Sequence, residues 1–300
     1  MKYKCIEKFG DLSRLCFGCE PLGGSDWGKF KLSDIEASIR FSIEMGVNFF
    51  DTADIYGLGL SEKRLCKILS NKRHDVFIAT KGGVAWRKNN SSRAETFFDT
   101  SKKYITSAVE NSLNRLKIEN INLYYIHWPN SDTSIEETFS CLQKLKENGK
   151  ILNIGCSNFN LDQLREALKY AEINFLQTPA NIIDGAPNSA LMNFCKKKNI
   201  NVVAYNVLHY GLLTGKFTKN FNFSSNDRRS RLESFKGSNL KKKLKKIEDL
   251  KVSLTNTNLS LAQFSIDWVT NQKQIDFAIT GIKNQKQAKE NILTFDDYGL

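Results

Sequence analysis

Four residues in the first half of the chain carry side chains of four different chemistries: Asp51, Tyr56, Lys81 and His127. Asp51 closes the run Val47-Asn48-Phe49-Phe50, Lys81 closes Val76-Phe77-Ile78-Ala79-Thr80, and His127 closes Leu123-Tyr124-Tyr125-Ile126. Tyr56 lies in the turn just past Asp51. A carboxylate, an ammonium, a phenol and an imidazole at successive strand ends are the parts needed to deliver a proton to a carbonyl oxygen. Parallel α/β folds gather their sites at the carboxyl ends of strands, so the placement is the informative part.

The elements that must position these groups follow from apolar runs alternating with helical patterns. Strands are predicted at Leu15–Gly18, Val47–Asp51, Val76–Lys81, Leu123–His127, Ile151–Ser157, Phe175–Gln177, Val202–Tyr205 and Phe277–Gly281. Several are apolar at consecutive positions, as strands covered on both faces are. Ser33-Asp34-Ile35-Glu36 and Ser134-Ile135-Glu136-Glu137 read as capping boxes that open helices. Eight β/α units in 300 residues, with no dividing linker, predict one (β/α)8 TIM barrel domain over residues 1–300. Residues 3–14 are expected to form a β-hairpin across the barrel floor. The long connections 82–100 and 206–240 follow strands, so both should overhang the catalytic mouth.

Composition excludes several classes. The formal charge of +12 invites a polyanion, yet the dense run Lys241-Lys242-Lys243-Leu244-Lys245-Lys246 is interleaved with Leu240, Leu244, Ile247 and Leu250 at helical spacing. It reads as the wet face of an amphipathic helix, and no nucleic-acid partner is expected. The basic balance favours an anionic small molecule such as a phosphorylated cofactor. No apolar run approaches the ~18 residues of a membrane span, and the first residues lack the apolar stretch of a signal peptide, so the expectation is a cytoplasmic protein without a membrane partner. Seven cysteines without regular spacing fit a reducing compartment. Cys16-Phe17-Gly18-Cys19 has no second Cys or His pair to complete a zinc set, and no metal site is expected.

Gly57-Leu58-Gly59-Leu60-Ser61-Glu62 lacks the third glycine of a dinucleotide fingerprint and follows the second strand rather than the first. These glycines read as turn residues before a helix near Ser61. Phe50-Asp51-Thr52-Ala53-Asp54-Ile55-Tyr56-Gly57 resembles a signature of the aldo-keto reductases. Ala79-Thr80-Lys81, Leu123 to Pro129, Ile154 to Phe159, Gly211 to Lys216, and Gly281-Ile282-Lys283 with Glu290-Asn291 resemble later signatures in the same order.

The resemblance, from about residue 15 to residue 293, implies a barrel that binds an extended nicotinamide dinucleotide, with NADPH favoured over NADH. It implies Tyr56 as general acid, with Lys81 lowering its pKa from the ordinary value of about 10. Asp51 then holds Lys81 charged, and His127 donates to the substrate carbonyl. Ser157, Asn158 and Gln177 match positions that grip the nicotinamide carboxamide, and Tyr205 the aromatic that stacks on the ring. Leu208, Gly211, Leu213 and Lys216 fall where the family's loop passes the pyrophosphate. Gly281, Lys283, Gln287 and Asn291 match the adenosine end, where Lys283 meets a 2′-phosphate. Asn284 stands where a second anion ligand would be expected. The chain stops soon after Leu293, so a long C-terminal loop over the substrate is not expected.

Taken singly, each residue has an ordinary structural explanation: Asp51 capping a turn, Lys81 a solvated strand end, His127 an imidazole bonded to backbone. Their joint occurrence favours catalysis. His74 and His209 are assigned structural roles, and Arg228, Arg229 and Arg231 either salt-bridge on the surface or face an anionic substrate, the surface being favoured. The functional expectation is reduction of an aldehyde or ketone, a small-molecule carbonyl substrate, by hydride transfer. The alternatives are a ketoreductase of phosphorylated or nucleotide-activated sugars and a non-catalytic NADPH-binding regulatory subunit. Oligomeric state is left open.

Overall fold

In a computed structural model of the chain, eight parallel strands close into a barrel. The structure describes residues 1–295 apart from 8, 29, 88–93, 219–220 and 226. Parts of both long connections expected over the mouth therefore lie outside the described residues. Strands β1 (Tyr3–Ile6) and β2 (Gly10–Ser13) pair antiparallel as the expected hairpin. Ile6 and Leu12 pack into the barrel's inner cluster, and the Phe9 ring meets Phe77 edge-on at 5.3 Å.

The barrel runs β3 (Leu15–Gly18), β4 (Phe49–Asp51) and β5 (Phe77–Gly82). A small antiparallel hairpin, β6 (Val84–Arg87) with β7 (Glu95–Phe98), then occupies the described part of the first long connection. The barrel continues through β8 (Leu123–Ile126), β9 (Ile154–Ser157), β10 (Ile173–Pro179), β11 (Asn201–Tyr205) and β12 (Phe277–Gly281), which pairs back onto β3. Val47 and Val76 precede their strands instead of opening them, a shift of one or two residues at ends where helix packing already buries the side chain.

Side chains alternate across each strand. Cys16, Phe49, Phe77, Leu123, Tyr125, Phe175, Val203 and Phe277 fill the interior, while Leu15, Phe17, Phe50, Ile78, Tyr124 and Ile126 belong to the layer that also contains the helices. This two-sided burial is why the strands read as continuous apolar runs. Phe49 touches Phe77 at 5.0 Å and Phe277 at 5.3 Å, ring edge to ring face. Truncating it to alanine would cost about 3–5 kcal/mol. Gly155 is required at its position, since a Cβ there would lie 2.3 Å from the Tyr125 ring.

The outer layer contains α1 (Leu32–Glu44), α2 (Leu60–Leu69), α3 (Lys102–Leu116), α4 (Ile135–Glu147), α5 (Leu161–Ala167), α6 (Ser189–Lys197), α7 (Gly237–Ser253), α8 (Leu261–Thr270) and α9 (Gln285–Leu293). Ser134 caps α4 as expected, accepting from Glu137 N at 3.1 Å. Ser33 does not cap α1: the helix starts one residue earlier at Leu32, and its N-cap, Lys31, makes no side-chain capping bond. Burial of Ile35 and Ile39 sets that helix's start more firmly than the exposed serine does. In α7, Leu244 and Ile247 are buried and Lys241, Lys242 and Lys245 are exposed, as an amphipathic helix requires. Cys16 and Cys19 are buried free thiols whose pKa burial pushes up. Among the described residues no helix is long and apolar enough to cross a membrane.

Candidate active site

Asp51 ends β4, Lys81 sits one residue before the end of β5, and His127 follows β8 directly. Adjacent strands thus bring the three groups to one rim. Lys81 is fully buried, and its Nζ donates to Asp51 Oδ1 at 2.5 Å and to the Thr52 carbonyl at 2.9 Å. From β10, Gln177 Nε2 reaches the other carboxylate oxygen, Oδ2, at 2.8 Å. Lys81 Nζ is 5.2 Å from the centre of the Tyr56 ring, and that ring meets His127 edge to face at 5.8 Å.

The turn carrying Tyr56 is held on both sides. Past the end of β4, Thr52 N and Asp54 N still donate to Ala79 O and Lys81 O, so the chain follows β5 as it leaves the sheet. Gly57 has φ +60°, and a Cβ there would lie 2.1 Å from Gly23 O. Only glycine admits this approach, which docks the turn after β3 against the turn bearing the phenol.

The electrostatics differ from the sequence expectation. Burial pushes the Tyr56 phenol well above its ordinary pKa, with Glu20 and Asp51 adding to the rise and Arg228 opposing it. The net shift is opposite to the lowering expected from Lys81. Lys81, 5.2 Å from the ring centre and paired with Asp51, does not offset the burial of the phenol. The phenol therefore keeps its proton at neutral pH. Burial, then Lys81 and Arg228, hold His127 well below its usual value, leaving a neutral imidazole whose buried Nδ1 has no hydrogen-bond partner among the described residues.

These groups open onto a cleft of about 670 Å³, a size suited to a small-molecule ligand. Asp51, Tyr56 and His127 line it, and Lys81 lies behind the wall. Ser157, Asn158, Gln177 and Tyr205 line it too. Asn158 adopts the left-handed conformation, φ 64°, which asparagine tolerates. Its Nδ2 donates to His127 O at 3.0 Å, its Oδ1 accepts from Tyr205 OH at 2.6 Å, and its N donates to Gln177 O at 3.0 Å.

Leu208, Gly211, Lys216, Gly281, Lys283, Gln287 and Asn291 also face the cleft. Leu213 does not: its side chain is fully buried in a satellite core with Leu212, Phe235 and Ile247, and its amide donates to Leu208 O. Lys283 Nζ donates to Trp27 O at 2.5 Å and lies 5.5 Å from that indole; burial, with Arg229 nearby, lowers its pKa to about 8. Gln287 Oε1 accepts from Lys283 N at 2.9 Å. Asn284, at the position expected to hold an anion, caps α9 by accepting from Gln287 N at 3.0 Å.

Sequence reasoning missed Glu20 and Trp27, which line the cleft. The preference for a surface role is corrected for Arg228, Arg229 and Arg231, all of which line the cleft. Arg229 binds Asp227 through two parallel hydrogen bonds of 2.8 and 2.6 Å. It also lies over the rings of Phe223 at 4.5 Å, Phe217 at 5.3 Å and Trp27 at 5.5 Å. Phe217, Phe221 and Phe223 pack on one another at 4.7–5.1 Å, so their near-alternate spacing was the one available signal of this cage. Arg228 pairs with Glu20, far away in sequence, which no local pattern could indicate.

Comparison with known proteins agrees with this geometry. The model of the Aldo/keto reductase family matches residues 14–297. The aldo-keto reductase yakc [NADP(+)] of Schizosaccharomyces pombe is 29% identical, the match covering 92% of this chain and 81% of that one. The NADH-specific methylglyoxal reductase of Escherichia coli is also 29% identical, covering 94% and 89%. Among solved structures, the glycerol dehydrogenase AKR11B4 from Gluconobacter oxydans superposes with a TM-score of 0.87 at 31% identity, covering 99% of this chain and 90% of that one. Eight parallel strands, a rim of acid, ammonium, phenol and imidazole, and a family match over nearly the whole length together place this chain in the aldo/keto reductase family.

Proposed function

We propose that this protein reduces an aldehyde or ketone to an alcohol with NADPH, Tyr56 giving the proton. The observation that carries the reading is the meeting of the Tyr56 phenol and the neutral His127 imidazole in one cleft, above the buried Lys81–Asp51 pair.

The cleft suits a dinucleotide. Among the described residues, Trp27 Nε1, His127 Nδ1 and Thr280 Oγ1 are buried polar atoms without partners, and all three residues line it. Such atoms are costly unless a ligand or water satisfies them. Ser157, Asn158 and Gln177 would hold the carboxamide and Tyr205 the ring; Lys216, Lys283 and Asn291 would meet the phosphates and adenosine. When bound, the nicotinamide supplies the hydride.

The chain's own residues manage the proton. A phenol that keeps its proton in the resting site is an acid, and it gives that proton up as negative charge develops on the substrate oxygen. The buried Lys81 ammonium then limits the cost of the resulting phenolate, and Asp51 holds that ammonium in place. His127, neutral, has one N–H to donate to the carbonyl and adds no charge that would compete for the proton. NADPH is preferred because the Lys283 ammonium, with a pKa of about 8, is mostly charged at neutral pH. The relatives' names divide on this point, so the preference rests on that cation.

Turnover of a panel of aldehydes and ketones with NADPH and with NADH, followed by loss of reduced-nicotinamide absorbance, tests the reading. The expected result is reduction with kcat/KM about tenfold higher for NADPH, as one charge-assisted contact would give. Tight NADPH binding with no oxidation by any carbonyl would refute it.

A further inference from the structure

Glu20 and Arg228 form an ion pair between the turn after β3 and the loop after β11, and both line the cleft beside Tyr56. The turn holding Glu20 is pressed against the phenol's own turn: a Cβ on Gly23 would lie 2.7 Å from Gly57 N and 2.8 Å from the Tyr56 carbonyl carbon. The two side chains remain 28% and 33% exposed. Among the described residues the carboxylate and the guanidinium hydrogen-bond only to each other, one bond from Arg228 Nη1 to Glu20 Oε1. A carboxylate can accept about four hydrogen bonds and a guanidinium can donate five. Most of that capacity remains open to the cavity.

Building on the reductase reading, we propose that Glu20 and Arg228 are specificity-determining residues that select carbonyl substrates bearing a hydroxyl near the carbonyl. An alkyl or aryl chain against this pair would strip water from two charges and return no hydrogen bond. A carboxylate would gain from Arg228 but meet Glu20, which cancels the attraction. A hydroxyl both donates and accepts, so it bridges the free carboxylate oxygen and a free guanidinium N–H. Sites that hydrogen-bond a substrate hydroxyl reject analogues lacking it far more strongly than apolar pockets reject a missing methylene. The partial exposure of this pair places the effect at the low end of that range.

The test compares kcat/KM for glyceraldehyde, propanal and succinic semialdehyde. The wild-type enzyme should prefer glyceraldehyde over propanal by at least about tenfold, mainly through KM. Glu20→Leu combined with Arg228→Met, which removes the pair without orphaning either charge, should bring that ratio close to one. Glu20→Gln alone frees the cation and should raise succinic semialdehyde relative to glyceraldehyde by about fivefold or more. A merely structural role would lower all three substrates together and leave their ratios unchanged, which would overturn the assignment. Equal wild-type turnover of glyceraldehyde and propanal would overturn it too, with the reductase reading intact. No turnover of any carbonyl would overturn both.

Discussion

The region around Asp51 and the region around Lys283 solve opposite problems. At Asp51 the charged groups satisfy one another inside the protein: Lys81 is fully buried, and both carboxylate oxygens of Asp51 are bonded. Around Lys283 the cations are held by groups of the cleft's own rim, Lys283 by a main-chain carbonyl and Arg229 by Asp227. The first arrangement is rigid and ready, with nothing to reorganise when a substrate enters. The second must exchange partners to take a phosphate, so part of each new contact offsets one that is lost. Catalysis should thus be sensitive to the first region, and cofactor choice, more gently, to the second.

Lys81→Met breaks the comparison at its stronger end. It leaves Asp51 as an unpaired buried charge, so the protein should lose about 3–5 kcal/mol in denaturant unfolding. Reduction should fall by about a thousandfold in kcat, since the phenolate formed on proton transfer loses its cation. Lys283→Ala sharpens the other end. NADPH should bind about tenfold more weakly by fluorescence titration while NADH is nearly unchanged. Equal losses for the two cofactors would remove the 2′-phosphate from the account.

Acidity gives a third, smaller effect. The Lys283 pKa is lowered to about 8, so its ammonium loses its proton as pH rises through that value. An anion bound beside it favours the protonated form, so NADPH affinity should decline above pH about 8, and NADH affinity should stay flat. That decline should vanish in Lys283→Ala. Smallest of all, Asn284→Ala removes the cap of α9 and should cost about 1 kcal/mol in thermal unfolding. Its effect on NADPH affinity should be slight, because the asparagine holds the helix start and not the phosphate.

The same contrast explains what could be read without coordinates. Strand ends were legible because strands buried on both faces leave unbroken apolar runs, and Asp51, Lys81 and His127 interrupt them. The hairpin of β6 and β7 was not, since its strands are short and Phe98 is exposed at 51%. The Glu20–Arg228 pair joins distant segments, and the Asp227–Arg229 fork shows its meaning only once three aromatic rings surround it. The phenol's raised pKa was missed for a simpler reason: the sequence shows a cation nearby but not the burial that outweighs it. Leu213 was misplaced because a loop motif names the residues that pass a cleft, not which of them turn inward to the core.

Tyr56→Phe tests the central claim most directly, by single-turnover oxidation of bound NADPH on mixing with a carbonyl substrate, alongside the NADPH dissociation constant. The account predicts a fall in the chemical rate of about 10²–10⁴-fold with the dissociation constant changed by less than about twofold. A rate within a few-fold of wild type would contradict it and send the search for the proton donor to His127.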